Sequence, residues 1–367
     1  MPDDQKVTTN QRGFGALLAL CSAVLFGIST PIAKRLLDSL PPFTLAGLFY
    51  LGAALLLLPT VLRQAKLQSD KPRPNHGPLG LPTDPKNAAY LAGAILFGGV
   101  LGPLALLFGL RLALASSVSM LLNLETVATA ILGVLLFREH LGRWTIIANL
   151  GVLAAGVMLS VEGGTPGLIG GLLVALAAIS WGFDNHFTAL IDGIRPAEST
   201  FWKGLVAGSV NLTIGLSTTE ELVFSAPVWL GALAVGALSY GASITLYITS
   251  AQKLGAVRAQ MIFAAAPIFG VLGSVFWLGE PFTLIQGCAA ILIAGSIAAL
   301  FFDKHGHTHK HEANRHTHEH THNDGHHEHF HGGQSAGFRH VHEHVHEPQH
   351  HKHEHWPDLH HRHNHNS

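Results

Sequence analysis

The sequence predicts an all-α membrane protein, with ten transmembrane helices arranged as two inverted five-helix repeats and a disordered His-rich tail. Three observations carry this reading. The 367 residues are 48% hydrophobic and only 12% charged, about half the charged fraction of a soluble domain. The charges collect in short connectors and after Phe302, leaving runs of about 20 apolar residues that match a bilayer core. The chain also repeats itself. Gly15-Ala16-Leu17-Leu18 through Phe26-Gly27 returns as Gly170-Gly171-Leu172-Leu173 through Trp181-Gly182. Leu124-Glu125-Thr126 leading to Phe137-Arg138-Glu139-His140-Leu141 returns as Ala265-Ala266-Pro267 leading to Leu278-Gly279-Glu280-Pro281-Phe282. An odd number of spans per half turns the second copy upside down, and inverted repeats of this kind place a solute site near the membrane midplane between the halves.

A cytoplasmic N-terminus, 1–12, precedes the first repeat, 13–162, whose spans are read at 14–33, 43–62, 90–110, 116–137 and 143–160. The breaker cluster Gly163-Gly164-Thr165-Pro166-Gly167 separates the halves. The second repeat, 167–302, has spans at 167–190, 200–217, 227–249, 257–278 and 282–302. The longest connector, 63–88, is rich in Pro, Lys and Gly and reads as a solvated loop. Its counterpart Ser217–Pro227 is short, which shifts the repeat offset from 155 to 141. Residues 303–367 form a separate low-complexity tail. Gly98/Gly102, Gly167/Gly171 and Gly204/Gly208 are spaced for close helix packing in lipid.

Lys and Arg set the orientation. With the N-terminus inside, thirteen lie in inner segments, from Lys6 to Arg258, against Lys34, Arg35 and Arg111 outside. Both termini are therefore expected in the cytoplasm of a multi-pass protein of a bacterial inner membrane. The first span is expected to be retained, since it is long for a signal peptide and has nine successors. Cys21 and Cys288 fall inside spans without metal-motif spacing, and packing is their expected role.

The two five-span repeats, each with a short Glu-containing turn after its fourth span, resemble the EamA family of the drug/metabolite transporter superfamily over about 13–302. The turns are Arg138-Glu139-His140-Leu141 and Gly279-Glu280-Pro281-Phe282. Further segments resemble a bacterial subgroup with a His-rich C-terminus: Asn123-Leu124-Glu125, Trp181-Gly182-Phe183-Asp184-Asn185, Lys203-Gly204-Leu205-Val206-Ala207-Gly208, and Pro357-Asp358-Leu359-His360-His361-Arg362-His363. The resemblance implies a ten-helix carrier of small metabolites, with spans one to four and six to nine lining the cavity and spans five and ten outside. One departure is plain: Thr126 stands where the second half has Pro267, with Glu125 before it.

Ionisable groups at membrane depth are functional candidates by default. Glu125 lies near the middle of span four, with Thr129 one turn on. Ser180, Asp184 and Thr188 repeat every four residues on span six, flanked by Asn185 and His186. Lys203 enters span seven from the same side, so Asp184 and Lys203 are expected at similar depth and able to pair; Asn211 shares the face of Lys203. The bland readings are a structural ion pair for Asp184 with Lys203, a protonated, hydrogen-bonded Glu125, and a satisfied core histidine for His186. Tyr240, with Tyr247 on one face of span eight, reads equally as cavity lining or as packing. Glu139 and Glu280 at span ends are expected to act on helix ends, not on substrate.

The tail holds twenty-four of the 27 histidines. They recur as His-x-His: His305, His307, His309 and His311; His316, His318, His320 and His322; His340, His342, His344 and His346; and His350, His351, His353 and His355. Neutral imidazole suits Zn, Ni, Co and Cu, so the tail is a candidate ligand for a divalent metal, while no cofactor is required. With so few apolar residues it is expected to lack order without metal. No phosphate loop, nucleophilic triad or zinc-hydrolase spacing is present, which argues against an enzyme and against direct ATP drive; no nucleic-acid partner is expected. Membrane lipid and a small-molecule or metal-ion substrate are the expected partners. Two functions remain open: a proton-coupled secondary transporter of a small metabolite or divalent metal, and a membrane-anchored metal-binding or sensing protein without transport.

Overall fold

A computed structural model describes residues 9–68, 75–137, 142–191, 193–218, 224–254, 259, 262–300, 305–311, 314–320, 340–346 and 349–355. Among these, seven helical segments are long and apolar enough to cross a membrane. They are α1 (Phe14–Leu36), α2 (Pro42–Lys66), α3 (Pro85–Leu112), α4 (Ala115–Leu136), α5 (Arg143–Glu162), α6 (Gly164–Leu190) and α8 (Ala226–Ser250). A more polar helix, α7 (Pro196–Thr218), and two shorter apolar ones, α9 (Ala266–Leu278) and α10 (Leu284–Leu300), join them among the described residues.

Local sequence explains where these helices start and break. Asp84 caps α3: its carboxylate accepts from the Asn87 backbone N–H at 2.9 Å and from Asn87 Nδ2 at 3.0 Å, with Pro85 at the first helical position. The Asn87 backbone hydrogen bond in particular holds the Asp84 carboxyl below its usual range. Gly279, at φ 70°, ends α9 in the left-handed conformation that a side chain resists. Two seven-residue π-helical stretches, Ile95–Leu101 and Gly236–Ala242, interrupt α3 and α8; sequence periodicity does not announce them. α4 also breaks at residues 122–123, just before Glu125.

The helices pack largely across the two halves. α2 lies on α7, α3 on α6, α1 on α8, α4 on α9, and α5 on α10. Glycine makes the α2–α7 approach possible. A Cβ at Gly47 would stand 2.5 Å from the Leu212 backbone nitrogen, and one at Gly208 would stand 2.8 Å from that of Leu51. The outer helices turn large apolar side chains outward, among them Phe276 (82% exposed), Leu284 (84%) and Ile291 (76%), a surface that lipid covers and water does not.

Charged side chains close the α3–α4 corner. Glu280, just after α9, accepts from the backbone N–H of Ala115 (2.8 Å) and Ser116 (2.9 Å) and from the Ser116 hydroxyl (2.8 Å). Lys34 donates to the carbonyls of Leu110 (2.6 Å) and Ala113 (2.9 Å) at the end of α3. A carboxylate on a helix N-terminus and an ammonium on a C-terminus both match the helix dipole. Gln286 extends the join by donating to the Ser116 and Ser117 hydroxyls. Glu280 thus acts on a helix end, while Glu139 lies outside the described residues.

Four short segments of the tail pair as extended chain. Residues His305–His311 (β1), Asn314–His320 (β2), His340–His346 (β3) and Gln349–His355 (β4) are strands. They pair antiparallel as β1–β4 and β2–β3. The His-x-His alternation that brings ligands together has the two-residue period of a strand, so the same pattern that lacks a core still favours extended pairing. His322 lies outside the described residues.

Two stability predictions follow from this packing. Gly208→Leu is expected to destabilise the protein by about 1–3 kcal/mol through overpacking of α2 against α7. Glu280→Ala is expected to destabilise by about 2 kcal/mol, because it strips charged hydrogen bonds from the start of α4; Glu280→Gln, which keeps one acceptor, should lose less. Thermal unfolding of the purified protein in detergent checks both, and wild-type melting of either Gly208→Leu or Glu280→Ala would contradict the corresponding contact.

Candidate functional site

A buried ion pair lies where α6 and α7 meet α3. Lys203 Nζ donates to Asp184 Oδ1 at 2.5 Å and to Oδ2 at 2.6 Å, and both side chains are largely buried, at 16% and 12% exposure. The Thr188 hydroxyl, one turn along α6, donates to Asp184 Oδ1 at 3.0 Å. Two charges at this depth persist because each neutralises the other and extra donors satisfy the carboxylate; losing one partner would strand the other.

The π-helical stretch of α3 presses directly on this pair. A Cβ at Gly98 would stand 2.0 Å from Asp184 Oδ2, and one at Gly99 would stand 2.5 Å from the Ala207 Cβ. Only glycine therefore fits where α3 meets Asp184. The Gly98 carbonyl accepts from the Tyr50 hydroxyl at 2.5 Å and from Trp181 Nε1 at 3.3 Å. The Gly99 carbonyl accepts from Asn211 Nδ2 at 3.0 Å. Asn211 is fully buried, and among the described residues its Oδ1 has no hydrogen-bond partner. π-helical segments leave backbone groups free of the regular α-helical ladder and recur at functional sites.

Glu125 forms a second centre between α4 and α6. Its Oε1 accepts from Asn185 Nδ2 at 2.8 Å, and the same amide donates to Thr129 Oγ1 at 3.3 Å. Glu125 is half-buried and Asn185 exposed. Asp184 and Asn185 are neighbours on α6, so adjacent residues serve the two centres.

The structure sorts the remaining candidates. The Ser180 hydroxyl donates to the Leu176 carbonyl of its own helix at 2.9 Å. His186 Nδ1 lies 2.7 Å from the Gly182 carbonyl, and the ring is buried in the bundle. Tyr240 sits in the π-helical stretch of α8, among Phe26, Phe49 and Tyr50, with ring centroids 6.1, 5.5 and 5.6 Å away. Tyr50 and Gly99 were not singled out from the sequence, while Trp181 entered only through the repeat and the resemblance and Gly98 only through its packing spacing; the Gly98-Gly99 doublet in an apolar span was the available signal. Glu198 was also missed. It is 1% exposed and accepts from the Arg195 backbone N–H at 2.9 Å, a helix-start role at α7. Among the described residues of the helical bundle, no three His, Cys, Asp or Glu side chains gather to hold a metal.

Comparison with known proteins assigns this architecture. The model of the EamA-like transporter family matches the chain twice, at 13–161 and 168–302. An uncharacterized transporter of Methanothermobacter thermautotrophicus is 26% identical over 305 residues, which span 80% of this chain and 88% of that protein. A probable amino-acid metabolite efflux pump of Salmonella typhimurium is 26% identical over 313 residues, 79% of this chain and 94% of that one. A protein of the same description from Escherichia coli is 25% identical over 297 residues, 76% and 91% of the two chains. One crystal structure shares the fold with a TM-score of 0.56 at 17% identity, over 78% of this chain and 96% of its own. The chain is therefore a multi-pass membrane protein that belongs to the EamA-like transporter family, whose members are transporters and not enzymes.

Proposed function

We propose that the protein is a proton-coupled secondary transporter that exports an ammonium-bearing small metabolite of the amino-acid class across a bacterial inner membrane. The observation that carries the reading is the buried Asp184–Lys203 pair, held against the Gly98-Gly99 backbone of α3 and adjacent to Glu125. These groups offer a carboxylate and an ammonium together, which complements a solute carrying both charges. The Asn211 Oδ1 acceptor adds an unsatisfied polar atom beside Gly99. The names of the Salmonella and Escherichia coli relatives point to the same solute class and to efflux. Glu125 is the coupling carboxylate in this reading: it is an ionisable group at membrane depth, hydrogen-bonded to an exposed amide and, among the described residues, not locked in an ion pair.

Ten spans in two inverted repeats form the frame of this reading, with α7, α9 and α10 crossing beside the other seven. The two π-helical stretches support it, since Ile95–Leu101 and Gly236–Ala242 have equal length and the same offset as the Glu139 and Glu280 turns. The packing pairs support it as well. Exchanging the halves maps α1–α8 onto α6–α3 and maps α2–α7, α4–α9 and α5–α10 onto themselves. The Lys/Arg bias places both termini in the cytoplasm.

The pair is tested by Asp184→Asn, Lys203→Met and the double variant. Each single variant is expected to fold poorly, because it leaves a buried charge unpaired. The double variant is expected to recover expression and monodispersity and to remain inactive in export of toxic amino-acid analogues from whole cells. A double variant that transports as wild type would reduce the pair to a structural bridge. Glu125→Gln is expected to express normally and to lose uphill transport driven by a pH gradient in proteoliposomes; full gradient-driven transport would remove Glu125 from coupling. For topology, a cysteine at Thr218 should react with an impermeant reagent applied outside the cell, while a reporter on the tail should read cytoplasmic. An external tail would overturn the inverted arrangement.

A further inference from the structure

The tail strands place histidine opposite histidine along two ribbons. In β1–β4, His305 faces His355, His307 faces His353 and His309 faces His351. In β2–β3, His316 faces His344, His318 faces His342 and His320 faces His340. The two ribbons follow the same numbering rule, from His305↔His355 to His311↔Gln349 and from Asn314↔His346 to His320↔His340. The histidine phase slips from odd to even positions between His311 and His316, and slips back between His346 and His351. The two slips fall at mirrored places, so pairing meets His with His on both sides of them. A slide of two residues would exchange partners and still set histidines opposite one another; a slide of one would leave at most a single such pair, at His350.

The positions between histidines carry other chemistry. Arg315 faces Val345, Thr317 faces Glu343, Glu319 faces Val341 and Thr308 faces Lys352. Successive strand residues belong to opposite faces, so each ribbon has one face of paired histidine positions and one mixed face. Residues directly opposite on an antiparallel pair have Cβ atoms about 4.5–5.5 Å apart, and two steps along a strand advance about 7 Å. Two successive cross-strand pairs, such as His316, His318, His342 and His344, therefore bring four imidazole-bearing positions into one compact patch. Imidazole without thiolate is the donor type for borderline divalent ions. A two-stranded ribbon without a core is marginal in water, so a ligand that bridges its strands would supply the missing stability, and binding and ordering would become one event.

We propose that the tail binds metal through its two histidine ribbons, whose registered histidine pairs, in β2–β3 and again in β1–β4, take divalent ions of the Zn²⁺, Ni²⁺, Co²⁺ and Cu²⁺ class. The reading rests on alternation and register, not on the number of histidines, and it stands apart from the transport centre.

The test uses the full chain in detergent, with Zn²⁺ alone as the probe, followed by equilibrium dialysis and far-ultraviolet circular dichroism. Three proteins are compared: wild type, a chain ending at Phe302, and a chain with residues 314–320 and 340–346 permuted so that alternation is lost while composition is kept. Wild type is expected to bind more than one Zn²⁺ and to gain strand signal. The chain ending at Phe302 is expected to lose both. The permuted chain is expected to bind the ions assigned to β2–β3 at least tenfold more weakly, without the strand gain of that ribbon. Zn²⁺ affinity and spectrum unchanged by the permutation would mean binding by composition alone and would overturn the proposal, as would full Zn²⁺ binding by the chain ending at Phe302.

Discussion

Two opposite charges inside an apolar bundle set the terms for the rest of the structure. Asp184 and Lys203 are tolerated there only as a pair, and their pairing fixes α6 against α7 at one depth. The third wall of the pair is backbone: α3 reaches Asp184 closely enough that only glycine fits at position 98. Gly98 and Gly99 then lie in a π-helical stretch whose carbonyls are met by Tyr50, Trp181 and Asn211. Charge neutralisation, glycine placement and helix irregularity are in this way one constraint seen from three helices.

The same physics acts at the corner between α3 and α4, with a different outcome. Glu280 and Lys34 are partly exposed and meet unpaired backbone groups at helix ends, where a charge stabilises by complementing the dipole. They tie the α9–α10 turn and the end of α1 to the α3–α4 corner. The buried pair, by contrast, holds its charge away from helix ends, against the Gly98-Gly99 backbone and beside Glu125. Charge at a helix terminus is explained by the fold; charge in the middle of the bundle calls for a role beyond it.

Much of this was legible in the sequence because membrane insertion leaves strong traces. Long apolar runs, the Gly204/Gly208 spacing and the repeated Glu-containing turns are direct consequences of lipid solvation and close packing, and the family model matches the same two stretches of chain. The depth match of Asp184 and Lys203 followed from an antiparallel hairpin, and the structure pairs them. What the sequence withheld was non-periodic. The π-helical stretches leave hydropathy unchanged, so the convergence of Tyr50, Trp181 and Asn211 on two carbonyls could not be read from spacing. Ser180 shared the face of Asp184, yet a hydroxyl can satisfy itself on its own helix, which spacing does not reveal. In the tail, composition offers no core, while the two-residue His period is that of a strand.

The central claim is that the charged centre binds solute and does not merely hold helices together. Direct binding decides it most cleanly. Calorimetric titration of the purified wild type and of the doubly neutralised Asp184→Asn/Lys203→Met protein, across a panel of amino acids and their esters, separates recognition from folding. The account predicts saturable binding of at least one zwitterionic member by wild type and loss of that binding in a double variant that melts as wild type does. Equal affinity in the two proteins would contradict it.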